Sequence, residues 1–80
     1  MIRSVEALGR TNYLLMDLAK ELGLRTGTHT YDRWMVKVGT EYFARVPMGL
    51  IEKNEYDGRL PITVRVVSAE GMAKIRALYA

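Results

Sequence analysis

Arg33-Trp34-Met35-Val36-Lys37-Val38-Gly39-Thr40-Glu41-Tyr42-Phe43-Ala44-Arg45-Val46 alternates apolar and polar or cationic residues on both sides of a glycine-containing break. A period of two predicts a half-buried antiparallel hairpin. With a three-residue loop, Gly39-Thr40-Glu41, the residues Trp34, Val36, Val38, Tyr42, Ala44 and Val46 share the buried face. Arg33, Met35, Lys37, Phe43 and Arg45 then share the open one. A two-residue loop flips the second strand, burying Phe43 and opening Tyr42, because a slip of one residue moves every side chain to the other face. The first register is preferred, since it buries Ala44 and Val46 and exposes Glu41 and Arg45.

The flanking segments complete the domain. Val5, Leu8, Leu15, Leu18 and Leu22 fall on one face of a helix. Ser4 or Thr11 would cap its start, and Gly23 would stop it. Asn12–Leu22 is its firmest part. Residues 24–31 hold three threonines and a glycine and read as a connector. Pro47 ends the second strand because it cannot donate to a ladder. Residues 48–56 fit a helical turn or a strand, and Asp57-Gly58 is a turn signal. Leu60–Val67 reads as a strand starting at or after Pro61, with Ile62, Val64 and Val66 inward and Thr63, Arg65 and Val67 outward. Ser68 caps a last helix, in which Gly71 costs about 1 kcal/mol against Ala and loosens the first turn. The expected fold is a single α+β domain over residues 1–80. It is an αβββα-type two-layer domain, an antiparallel three- to four-stranded sheet with two helices packed on one face.

Composition sets outer limits. The chain has 80 residues, 49% hydrophobic and 26% charged, which excludes disorder of the whole chain. A domain of this size buries only about 60% of the surface its unfolded chain exposes, so a partner subunit would add useful burial. There is no cysteine, hence no disulfide and no thiolate metal site. No stretch approaches the roughly 20 apolar residues that span a bilayer, so no membrane association is expected and a cytoplasmic location is. Net charge is +3. Residues 23–49 contribute +2 and residues 59–80 contribute +3, while residues 50–58 carry −2.

The charge distribution and the open sheet face suggest a binding protein rather than an enzyme. One His and no Cys leave little for a catalytic constellation, and neither cofactor nor metal is expected. Nucleic acid is the first candidate partner. Arg33, Lys37, Arg45 and Arg65 would neutralise phosphates, and Phe43 would stack on a base, an interaction worth roughly 1–3 kcal/mol. A protein partner or a second copy of the chain is the alternative, as in a homodimer or a small inhibitor or adaptor. Met35, Phe43 and Val67 would be its apolar centre. His29 reads as a loop residue, Glu52, Glu55 and Asp57 as a solvated acidic face, and Thr26-Gly27-Thr28 as a plain connector.

Leu18-Ala19-Lys20-Glu21-Leu22-Gly23-Leu24 resembles the first helix and turn of a helix-turn-helix motif, with Ala19 four positions before the turn Gly23. The motif implies that a recognition helix follows and docks in the major groove. Here that segment is Arg25–Asp32, with Gly27 in it and His29 and Asp32 where apolar anchors belong. The αβββα order is also similar in topology to double-stranded-RNA-binding domains. In that family a lysine cluster opens the last helix; here Ser68-Ala69-Glu70-Gly71 stands in its place, so none of that family's contact residues carry over.

Overall fold

The computed structural model describes residues 1–47 and 63–80. It is a mixed α+β domain with a four-stranded antiparallel sheet and helices layered on one face, as expected. The element order differs from expectation. Among the described residues the chain runs β1 (Ser4–Ala7), β2 (Arg10–Leu14), α1 (Leu15–Glu21), α2 (Thr28–Val38), β3 (Phe43–Pro47), β4 (Thr63–Ser68) and α3 (Ala69–Leu78), with a 3-10 turn at Thr40–Tyr42 before β3. The strands lie in the order β1-β2-β4-β3. The expected features of residues 48–62, including the Asp57-Gly58 turn and the acidic residues, lie outside the described residues.

The first half of the expected N-terminal helix is instead a hairpin. β1 and β2 pair from Ser4↔Tyr13 to Ala7↔Arg10, so Leu8-Gly9 is a two-residue loop. Both loop residues have positive φ, 57° and 73°, the geometry that matches the twist of the flanking strands. Asn12 fixes this turn from inside. Its fully buried amide donates to the carbonyls of Ala7 (2.9 Å) and Arg10 (3.2 Å), and its oxygen accepts from Arg10 Nε at 2.9 Å. Leu8, expected on an apolar helix face, is 71% exposed at the tip.

Helix α1 begins directly after Leu14, and no side chain caps it. Asp17 in its first turn instead holds the N-terminal segment. One carboxylate oxygen accepts from the backbone N–H and Nε of Arg3, each at 2.9 Å, and the other accepts from Arg3 Nη2 at 3.2 Å. Gly23 does stop the helix, at φ 72°. Its N–H bonds to the Lys20 carbonyl and that of Leu24 to the Ala19 carbonyl, the paired bonds of a Schellman end.

Residues 28–38, expected as part connector and part strand, form α2. Tyr31, Trp34, Met35 and Val38 recur at i, i+3, i+4 and i+7, which is also a helical stripe. The two periods compete in this stretch, and packing decides between them. Trp34 has no solvent exposure, whereas Val36, inward in the strand reading, is 84% exposed. Gly39, at φ 122°, ends α2. β3 then follows as expected up to Pro47, but its partner is β4, paired from Phe43↔Val67 to Pro47↔Thr63.

The parity of β3 and β4 is the expected one, but the face is not. Phe43, Arg45, Arg65 and Val67 do share one side, yet that side receives the helices. Val67 is fully buried with Leu15, Leu18, Ala19, Trp34 and Ile75, and Tyr13 and Phe43 pack against that cluster. The opposite side carries a second cluster, Val5, Leu14, Val46 and Val66, with Ala44 and Val64 against it.

Ser68 caps α3 as expected, its Oγ accepting from the Gly71 N–H at 3.2 Å. Gly71 is not a weak point. A Cβ there would lie 2.6 Å from both Tyr42 Cβ and Val67 Cγ2, so the missing side chain lets α3 approach the sheet. Gly71→Ala should therefore destabilise the domain by about 1–3 kcal/mol through overpacking, although Ala is the better helix former; chemical denaturation of both proteins measures it.

The Arg3 contacts hold the Asp17 carboxyl below its ordinary value of 3.8, against the opposing effect of its burial. A depressed carboxylate contributes stability above its unfolded pKa and loses it as pH falls through the folded one. Stability should thus decline below about pH 4, and Asp17→Asn should be less stable at neutral pH with a shallower acid limb, as read from thermal melts across pH 2–7.

Candidate nucleic-acid interface

Helix α2 turns one face to the core and the other to solvent. Because Tyr31, Trp34 and Val38 face inward, His29, Arg33, Val36 and Lys37 face outward, and all four are exposed. His29, Arg33 and Lys37 follow at intervals of four, so neighbouring Cβ atoms sit about 5–6 Å apart, and Arg33 and Lys37 place two cations one turn apart. Among the described residues no carboxylate lies within ion-pair reach of Arg25, Arg33, Lys37 or Arg45. Several acids that could screen them are engaged elsewhere. Asp17 holds Arg3, Glu21 holds Arg76 at 2.8 Å, and Asp32 holds Arg65 at 2.6 Å.

The remaining residues of the expected sheet site are dispersed. Arg65 is largely buried beside α2, where its guanidinium reaches both Asp32 and, at 3.8 Å, the sulfur of Met35. It fastens the helix to β4. Phe43 is half-buried against the helical core and Val67 is wholly inside it, so Val67 offers no free face and Phe43 only part of one. Met35 is half-buried under Arg65. The apolar centre expected from Met35, Phe43 and Val67 therefore does not form a surface patch. Arg45 is exposed and sits directly opposite Arg65 in the ladder. Like charges in that position repel, and Asp32 neutralises only the Arg65 side.

Two clefts adjoin α2. One, of about 250 Å³, is lined by Tyr31, Arg45 and Arg65 with Met16 and Thr28. Burial pushes the Tyr31 hydroxyl above its ordinary value of 10.0, so it is a neutral donor there. The other, of about 130 Å³, is lined by Leu24, Arg25, His29, Thr30, Arg33 and Tyr79. Tyr79 is anchored from below, its hydroxyl accepting a hydrogen bond of 2.9 Å from Trp34 Nε1. Arg25 and Tyr79 were not singled out by sequence reasoning. Extending the helical stripe of Tyr31, Trp34 and Val38 back towards Gly27 would have brought His29 and Arg33 onto one outer face; nothing in the sequence brings Tyr79 there.

A helix does follow the Ala19–Gly23 turn, as the helix-turn-helix resemblance implies. Residues 22–27 separate it from α1, a longer connection than the three- or four-residue turn of that motif. No helix among the described residues is long and apolar enough to cross a membrane, and no group of three or more potential metal ligands occurs among them. Comparison with protein-family models, with curated proteins and with solved structures finds no match for this chain.

Proposed function

We propose that this chain is a small non-enzymatic nucleic-acid-binding domain that grips the phosphate backbone with the solvent face of α2. The observation that carries the reading is the pair Arg33 and Lys37, one turn apart and exposed, with no carboxylate in reach among the described residues. A cation left without an internal partner keeps its full capacity to displace counterions from a polyanion. A helix is also the element that fits a duplex major groove, and Val36 beside the two cations supplies apolar contact of the kind that a base edge or methyl group accepts. On the sheet, Phe43 is half-buried and Arg65 is held by Asp32, which leaves Arg45 as the available cation among the residues expected there.

Salt dependence tests it. Two phosphates neutralised by Arg33 and Lys37 give a slope of log K against log salt of about −1.4 to −1.8. Fluorescence anisotropy of labelled single- and double-stranded oligonucleotides at two salt concentrations should read that slope. The double variant Arg33→Ala, Lys37→Ala should weaken binding and flatten the slope, while its melting temperature stays close to that of the parent since both side chains are exposed. Absence of binding at low salt, or binding indifferent to the double variant, refutes the assignment.

A further inference from the structure

We infer that the smaller cleft beside α2 is a subsite for the terminal phosphate of an oligonucleotide. The cleft at the foot of α2 presents donors and no acid. Arg25, His29, Arg33 and Tyr79 line it, together with Thr30 and Leu24. The tyrosine is oriented for the task. Its oxygen already accepts from the buried indole of Trp34, so its own proton is directed elsewhere, and a donor that is itself accepting a hydrogen bond is the stronger for it. Guanidinium groups add charge-assisted, forked bonds to phosphate oxygens. Two arginines and a tyrosine, with no acid among the lining residues, favour an anion at the polar side of this cleft, opposite Leu24.

Size narrows the anion. At about 130 Å³ the cleft is several times the ~30 Å³ share of one water but well below the ~300 Å³ at which pockets begin to enclose a whole small molecule. That is room for one phosphate group, and an end group reaches into such a cleft more readily than an internal phosphodiester, which carries a sugar on both sides. Arg33 belongs to the cleft and to the outer face of α2 alike. A strand whose terminal phosphate sits in the cleft can thus continue towards Lys37, which favours an oligonucleotide end over a phosphorylated peptide. The inference rests on the proposed contact of nucleic acid with α2.

The experiment compares one sequence, as a single strand and as a duplex, with a 5′-phosphate, with a 3′-phosphate, and with hydroxyls at both ends, by anisotropy at low salt. One phosphorylated form should bind about tenfold more tightly than the hydroxyl form, the scale of one charge-assisted hydrogen bond. Tyr79→Phe and, separately, Arg25→Ala should remove most of that advantage, read as the ratio of phosphorylated to hydroxyl affinity within each variant. Circular-dichroism melts check that Tyr79→Phe, which leaves Trp34 without its acceptor, still folds; Arg25→Ala carries the test if it does not. Equal affinity for the three end forms, with the Arg33 and Lys37 dependence intact, overturns the subsite and leaves the functional reading standing. Tighter binding of a phosphoserine peptide than of any oligonucleotide overturns the choice of occupant. If no oligonucleotide binds, the functional reading falls and the oligonucleotide subsite falls with it; titration with inorganic phosphate, followed by amide shifts around Arg25 and Tyr79, then separates a cleft for free phosphate from no anion site.

Discussion

Val66 and Val67 are neighbours in β4, and neither has any solvent exposure. They point to opposite sides of the sheet, one into each hydrophobic cluster. A fully buried valine contributes about 1.5–3 kcal/mol relative to an exposed one, a sizeable fraction of the roughly 5–15 kcal/mol that a whole domain commands. The same strand pairs with β2 on one edge and β3 on the other, and it passes straight into α3 through the Ser68 cap. Gly71 then brings that helix down onto Val67 and Tyr42. Sheet order, layer contact and the placement of α3 all converge on these few residues. Arg65 of β4 reaches across to Asp32 and so also sets where α2 lies.

Much of this was legible before any coordinates. The α+β class, the antiparallel sheet, β3 with its end at Pro47, the parity of β3 against β4, the stop at Gly23 and the cap at Ser68 all follow from local rules. What misled was periodicity over short windows. Trp34, Val36 and Val38 alternate, while Tyr31, Trp34, Met35 and Val38 wind, and a stretch this short is too little to separate the two periods. Val36 discriminates only once its exposure is known. Leu8 misled in the same manner. Its place on an imagined helix face concealed a hairpin whose second loop residue, Gly9, was the available clue. Parity also says which residues share a side of a sheet but not which side the helices choose, and that choice exchanged the open and covered faces.

The candidate site was legible only in part, for a related reason. Composition located the excess of cations, and Arg33 and Lys37 stood among them. Sequence could not tell which cations remain available, because neutralisation is a tertiary matter. Asp32 is adjacent to Arg33 in the chain, yet it pairs with Arg65, 33 positions away. Tyr79 is more remote still. Its hydroxyl meets the Trp34 indole across 45 positions, a contact that exists only because α2 and α3 lie side by side on the same face.

The pairing of β2 with β4 governs the order in which this molecule can assemble. β1 and β2 leave the ribosome together and close through a two-residue loop, a local event on the microsecond scale. Their sheet edge, however, is completed by β4, which follows only after α1, α2 and β3. Until β4 arrives, β2 carries Leu14 and an open row of backbone donors and acceptors, the template on which foreign strands pair. α1 and α2 are made in the interval, and both need Val67 to finish their core. The finished core thus depends on a contact between distant parts of the chain, and small domains rich in such contacts fold more slowly than those built from neighbouring ones.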